Sequence, residues 1–115
     1  MSHKGRDRTA ARLRAHAPAF AALGDETRLA LVARLAHGRP CSISQLTEGS
    51  MLTRQAITKH LRVLESAGMV RSCRAGRESL FELDPEPIDG IRQYLDLVSE
   101  QWDQALSRLK AFVES

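Results

Sequence analysis

Apolar positions recur at three- and four-residue spacing through most of the chain, and glycine and proline cut that pattern into short elements. Ala17-Pro18 opens a brief helix through Phe20 and Leu23, because proline is tolerated in a first turn, and Gly24 is expected to end it in a left-handed cap. Asp25 caps the next helix. From Glu26 to His37, Leu29, Leu31 with Val32, Leu35 and Ala36 keep helical spacing until Gly38 and Pro40 stop it, which predicts a half-buried helix of about three turns. A short helix is expected over Ser44 to Glu48, opened by Ser42 or Ser44. Ser42 and Gln45 stand at capping-box spacing, and Gly49-Ser50 breaks the helix.

Thr53 caps a helix running to about Ala67, with Leu52 and Ile57 at the two positions of a hydrophobic staple. Its inward face reads Ile57, Leu61 and Leu64, with Ala56 and Ala67 beside it. The opposite face carries Arg54, Gln55, Thr58, Lys59 and Arg62, with 54, 58 and 62 stacked one above another. Gly68 ends this helix. Two strand-length runs follow, Met69 to Arg74 and Ser79 to Leu83, separated by Ala75-Gly76-Arg77-Glu78, which predicts a hairpin with a basic tip. Asp84-Pro85 then starts a last helix. In it Ile88, Ile91, Leu95, Val98, Trp102, Ala105, Leu109 and Phe112 alternate spacings of three and four, and Gly90 is the one breaker.

A short helix, a tight turn, a second helix with a polar outer face and then a basic hairpin is the order of a winged helix-turn-helix. The fold class expected is therefore mainly α with a small β-hairpin wing. A helix about 10 Å across enters a major groove, where short polar side chains and Arg or Gln forks reach base edges. Arg74 and Arg77 on the hairpin would reach the flanking backbone or the minor groove.

Charge sharpens this picture. Residues 53–77 hold six bases and one acid, residues 1–16 five bases and one acid, and residues 84–115 seven acids and three bases, so a net charge of +3 conceals a basic middle and an acidic end. On charge alone, the basic face could equally be a solvated surface; helix order, turn and wing favour a DNA-reading one. The expected division is a basic tail over 1–16, a DNA-binding core over 17–84 and a pairing helix over 85–115. The 115 residues fit one domain with a small core. No apolar run reaches the ~18 residues that cross a bilayer, and the charged start is not a signal peptide. Two cysteines are too few for a disulfide scaffold, which points to a reducing cytoplasm.

Four segments together resemble one family. They are Phe20-Ala-Ala-Leu-Gly-Asp-Glu-Thr-Arg-Leu-Ala-Leu-Val, Ser42-Ile-Ser-Gln-Leu, Thr53 through Val70, and Gly76-Arg77 followed by Leu80-Phe81-Glu-Leu. They are similar to the ArsR/SmtB family of bacterial repressors, and the stretch from His60-Leu61 to Ala67-Gly68 is the most specific part. The resemblance implies a homodimer that binds a pseudo-palindromic operator in double-stranded DNA. It implies DNA contacts from Thr53, Arg54, Gln55, Thr58, Lys59, His60 and Arg62, and from the wing at Arg74 and Arg77. His60 either touches phosphate or packs where two helices cross. The dimer is expected to bury Phe20, Leu23, Ile91, Leu95, Val98, Trp102 and Leu109, since a small core covers only part of so long a seam.

The chain departs from the family's metal sensors. They use a Cys-x-Cys before the recognition helix or Asp/His and His/Glu pairs on the last helix; here Cys41 stands alone and the last helix has no histidine. His3, His16, His37 and His60 are scattered over different elements, so no metal or other cofactor is expected. Cys41 and Cys73 read more simply as small hydrophobes than as a thiol switch. No phosphate loop, H-E-x-x-H or G-x-S-x-G occurs, which disfavours an enzyme, and no residue selects an effector. A winged-helix interaction module that pairs through its last helix without binding DNA is the alternative.

Overall fold

The computed structural model describes residues 14–114. Helix α1 covers 14–23, so it begins before the Ala17-Pro18 pair, and three residues of the expected 1–16 tail are helical; residues 1–13 lie outside the described residues. Gly24 is not the left-handed cap that was expected, since the positive-φ glycines among the described residues are Gly38, Gly49, Gly68 and Gly76. Its N–H closes the last turn on the Ala21 carbonyl at 3.1 Å, and a Cβ there would stand 3.3 Å from that same oxygen. Glycine serves a close approach here, because the chain passes at once into Asp25, the extended N-cap of α2 (Glu26–Leu35).

Asp25 accepts the Arg28 N–H at 3.0 Å, and α2 buries Leu31 and Leu35. That hydrogen bond, aided by the positive charge of Arg28, holds the Asp25 carboxyl below its ordinary value. Its stabilising effect is complete above the ordinary carboxylate range and is lost as pH falls through the lowered value. Helix α3 (Ile43–Thr47) starts in a full capping box: Gln45 N–H donates to Ser42 Oγ at 3.1 Å, and Ser42 N–H donates to Gln45 Oε1 at 2.8 Å.

Helix α4 (Arg54–Ser66) is capped by Thr53 and turns Ile57, Leu61 and Leu64 inward, the last two with no exposed surface. Strands β2 (Val70–Ala75) and β3 (Glu78–Leu83) pair antiparallel through a two-residue turn at Gly76-Arg77, with Gly76 at φ 64° as such a turn requires. A two-residue strand, β1 (Cys41–Ser42), adds to the far edge of β3 to give the order β1-β3-β2. Neither its length nor its composition marks it in the sequence. Met69, Val70 and Phe81 carry the sheet into the core formed by α1, α2, α3 and α4.

Helix α5 (Pro85–Glu114) opens with Asp84 accepting the Glu86 N–H at 3.1 Å. Gly90 does not break it, because α1 crosses there: a Cβ on Gly90 would meet the His16 ring at 2.8 Å. Tyr94 lies beside this crossing, its ring centroid 5.9 Å from His16 and 5.8 Å from Phe20. Of the apolar seam only Ile91 is buried, with Ile88, Val98 and Ala105 half-buried; Leu95, Trp102, Leu109 and Phe112 remain 51–80% exposed. At 1.5 Å per residue the helix runs about 45 Å in a molecule whose longest extent is 66 Å. No described helix is long and apolar enough to cross a membrane.

Candidate nucleic-acid interface

Burial of Ile57, Leu61 and Leu64 fixes the rotation of α4, and helical periodicity then puts Arg54, Gln55, Thr58, Lys59 and Arg62 together as the walls of one shallow outward groove. Thr53 Oγ1 accepts the Ala56 N–H at 3.1 Å as the cap, which leaves its hydroxyl proton free to donate. Thr58 Oγ1 donates to the Arg54 carbonyl at 2.8 Å, which leaves the oxygen lone pairs and the methyl group for a ligand. Gln55, Lys59 and Arg62 make no side-chain hydrogen bond or ion pair among the described residues. Arg54 differs: its Nη1 lies 2.8 Å from Ser44 Oγ on α3, ten residues earlier, a contact that no local sequence signal marks.

His60 is also on α4 but is turned away from the groove. Its Nδ1 stands 3.3 Å from Arg28 Nη1 and 3.7 Å from Asp25 Oδ2, at the start of α2. Arginine always donates, so Nδ1 accepts. Arg28 Nε donates to the Ala22 carbonyl at the end of α1, so one guanidinium joins α1, α2 and α4. Of the two readings for this histidine, the side chain occupies the helix crossing.

Arg74 and Arg77 are exposed on the wing, as expected. Register puts Ser72 and Arg74 on the sheet face of Phe81, toward the helices. Ser72 Oγ donates to Glu65 Oε2 at 2.9 Å, which ties β2 to the end of α4. Arg71 lies on the other face and is held by Glu82 at 2.8 Å, a contact that raises its pKa and partly neutralises its charge locally. The unpaired bases of the middle segment therefore gather on α4 and the wing tip.

Cys41 lies opposite Phe81 and Cys73 opposite Leu80, which places the thiols on opposite faces of the sheet. They cannot join within one chain. Among the described residues no three His, Cys, Asp or Glu side chains converge as a metal site. His3 lies outside those residues. The expected pairing residues divide by burial. Phe20 and Leu23 are half-buried against the chain's own core, and Ile91 is buried in it, whereas Leu95, Trp102 and Leu109 face outward.

Comparison with known proteins agrees with this arrangement. Residues 23–73 match a family model described as a helix-turn-helix domain. The HTH-type transcriptional regulator Rv2034 of Mycobacterium tuberculosis is 36% identical over 97 residues, covering 84% of this chain and 87% of that protein. The HTH-type transcriptional repressor SmtB of the same species is 29% identical over 85 residues, covering 74% of this chain and 61% of that protein. Among solved structures, an ArsR-like transcriptional regulator from Rhodococcus sp. RHA1 superposes with a TM-score of 0.81 at 32% identity, covering 92% of this chain and 96% of that one. With the helix order, the wing and these two relatives above 30% identity, the chain belongs to the ArsR/SmtB family of winged helix-turn-helix DNA-binding transcriptional regulators.

Proposed function

We propose that the protein is a homodimeric repressor that seats α4 in the major groove of each half of a pseudo-palindromic operator, in the cytoplasm, without a metal cofactor. The observation that carries this reading is the outward groove of α4, where Gln55, Thr58, Lys59 and Arg62 stand together on a helix whose other face is locked in the core. Residues 17–84 form the reading unit in this proposal, and α5, with α1 beside it, pairs two copies. Two recognition helices on a two-fold axis require half-sites one helical turn of DNA apart, about 34–36 Å.

Gln55→Ala is expected to cost on the order of 1–3 kcal/mol on the preferred duplex and to relax preference at one base position in each half-site. Arg77→Ala is expected to weaken binding to all sequences alike and to flatten the salt dependence, because a phosphate contact carries little base information. Fluorescence anisotropy on selected and random duplexes at several salt concentrations separates the two patterns. Equal losses for both variants on both duplexes would contradict this division of labour. No salt-dependent duplex binding by the unaltered protein would favour the interaction module instead.

Operator binding is further expected to be indifferent to zinc, nickel, cadmium and arsenite. Cys41 and Cys73 offer one soft donor each on opposite sheet faces, and the scattered histidines add no closed set. Titration of the reduced protein with each metal while anisotropy is followed checks this. Stoichiometric uptake that releases DNA, and is lost in Cys41→Ser, is the contrary result.

A further inference from the structure

We infer that Arg54 grips the DNA backbone rather than a base, and that Arg54, Arg77 and Ser79 form a seat for one phosphodiester group in each half-site, with Ser44 holding Arg54 in place. The inference rests on the duplex binding proposed above and assigns a part of it.

A cleft of about 180 Å³ lies between the start of α3, the first turn of α4 and the wing tip. Arg54 and Arg77 enter it from opposite elements, and Ser44 and Ser79 line it, all four exposed. Ser42 also borders it, but it is buried and its hydroxyl oxygen caps α3. A phosphodiester brings one negative charge and two non-bridging oxygens. Guanidinium forks and hydroxyl donors that converge from two sides match that chemistry.

The direction of Arg54 settles which part of DNA it meets. Its guanidinium reaches sideways from α4 to Ser44, at 2.8 Å, so that Arg54 borders this cleft as well as the outward groove. An α-helix with its side chains is about 10–12 Å thick and a B-DNA major groove about 12 Å wide, so the helix fills the groove. A side chain that leaves such a helix sideways meets the groove wall, and that wall is sugar and phosphate. The wing tip closes the same cleft with Arg77. Ser44 is a positioning residue for Arg54 in this arrangement. Glu78 is the one acid in the wall, and two arginines outweigh it. Its carboxylate opposes a bound phosphate and so weakens the seat.

The test uses a duplex that the unaltered protein selects from a random library, remade with a neutral methylphosphonate at one backbone position at a time. One position flanking each half-site is expected to lower affinity about tenfold. Arg54→Ala and Arg77→Ala should each lose a similar factor on every unmodified sequence, reduce the log–log salt slope by about one, and become insensitive to that methylphosphonate. Ser44→Ala should weaken binding in the unaltered protein but not in the Arg54→Ala background, with Ser44→Thr restoring affinity. Glu78→Gln should tighten binding. Circular dichroism confirms that each variant is folded. If Arg54→Ala instead relaxes preference at a single base position and leaves the salt slope unchanged, Arg54 reads a base and the inference is wrong. Saturable binding of inorganic phosphate at micromolar concentration, lost in Arg54→Ala, would make the cleft a site for a small phosphate compound and overturn its assignment to the backbone. Failure of the unaltered protein to enrich any duplex would overturn the proposed function, and this inference with it.

Discussion

Trp102→Glu is expected to convert the protein from a dimer to a folded monomer at micromolar concentration. The indole is 65% exposed within one chain and lies in the middle of the seam between Leu95 and Leu109, so its apolar surface has little role in folding the protomer. A tryptophan presents roughly 150–250 Å² of surface, and pairing would cover on the order of 100 Å² more of it. At about 25 cal/mol per Å², that is about 2.5 kcal/mol per protomer and twice that per dimer, because a two-fold axis counts each change twice. The corresponding rise in dimer Kd is roughly 10³- to 10⁴-fold before the cost of placing two carboxylates in the seam is added. Sedimentation equilibrium reads the change directly, and circular dichroism should show helix content preserved. Operator affinity should fall with it, since each half-site is then bound separately. A variant that stays dimeric would move the pairing surface off this part of α5.

Leu61→Ala is expected to lower the unfolding free energy by about 2–5 kcal/mol, the range for a fully buried leucine. Leu61 has no exposed surface, and the core cluster it belongs to draws Ile57, Leu64, Leu35 and Leu46 from three separate elements, so the cavity is not expected to collapse easily. A domain of this size has roughly 5–15 kcal/mol in all, and the melting temperature should drop by on the order of 10–30 °C. Val63→Ala on the same helix is the control, because Val63 is 42% exposed. All three proteins must be melted at equal protomer concentration, since pairing adds stability by mass action. A Leu61→Ala melt within two or three degrees of the Val63→Ala melt would mean that α4 is not packed as described.

The features legible in the sequence are those set by neighbours in the chain. Asp25, Ser42 with Gln45, and Thr53 cap α2, α3 and α4 as expected, because a cap bonds to backbone only two or three residues away. The inward triad of α4 follows from periodicity, and β2 and β3 follow from two strand-length runs on either side of the turn at Gly76. The strand β1 is not legible, because two residues have no period, and it exists only where β3 offers an edge. Gly90 reads as a breaker until α1 is seen lying across it. The face of α4 was legible as a set, whereas the turn of Arg54 toward Ser44 and of His60 toward Arg28 depends on where α3 and α2 dock. Neither partner can be found by spacing.

Arg28 gives the molecule a mechanical property beyond its hydrogen bonds. Its guanidinium holds the last turn of α1 through the Ala22 carbonyl and the recognition helix through His60, while its own backbone is fixed by Asp25. In the proposed two-fold pair built on α1 and α5, this ties the position of α4 to that of α1. A small tilt of one protomer against the other then appears at the DNA as a change in the gap between two recognition helices. Since the groove repeat of DNA is fixed, that gap acts as a gauge. Under the proposed function, a ligand that reshapes the α1–α5 contact around His16, Phe20 and Tyr94 would detune the protein from its operator without touching a single DNA-facing residue.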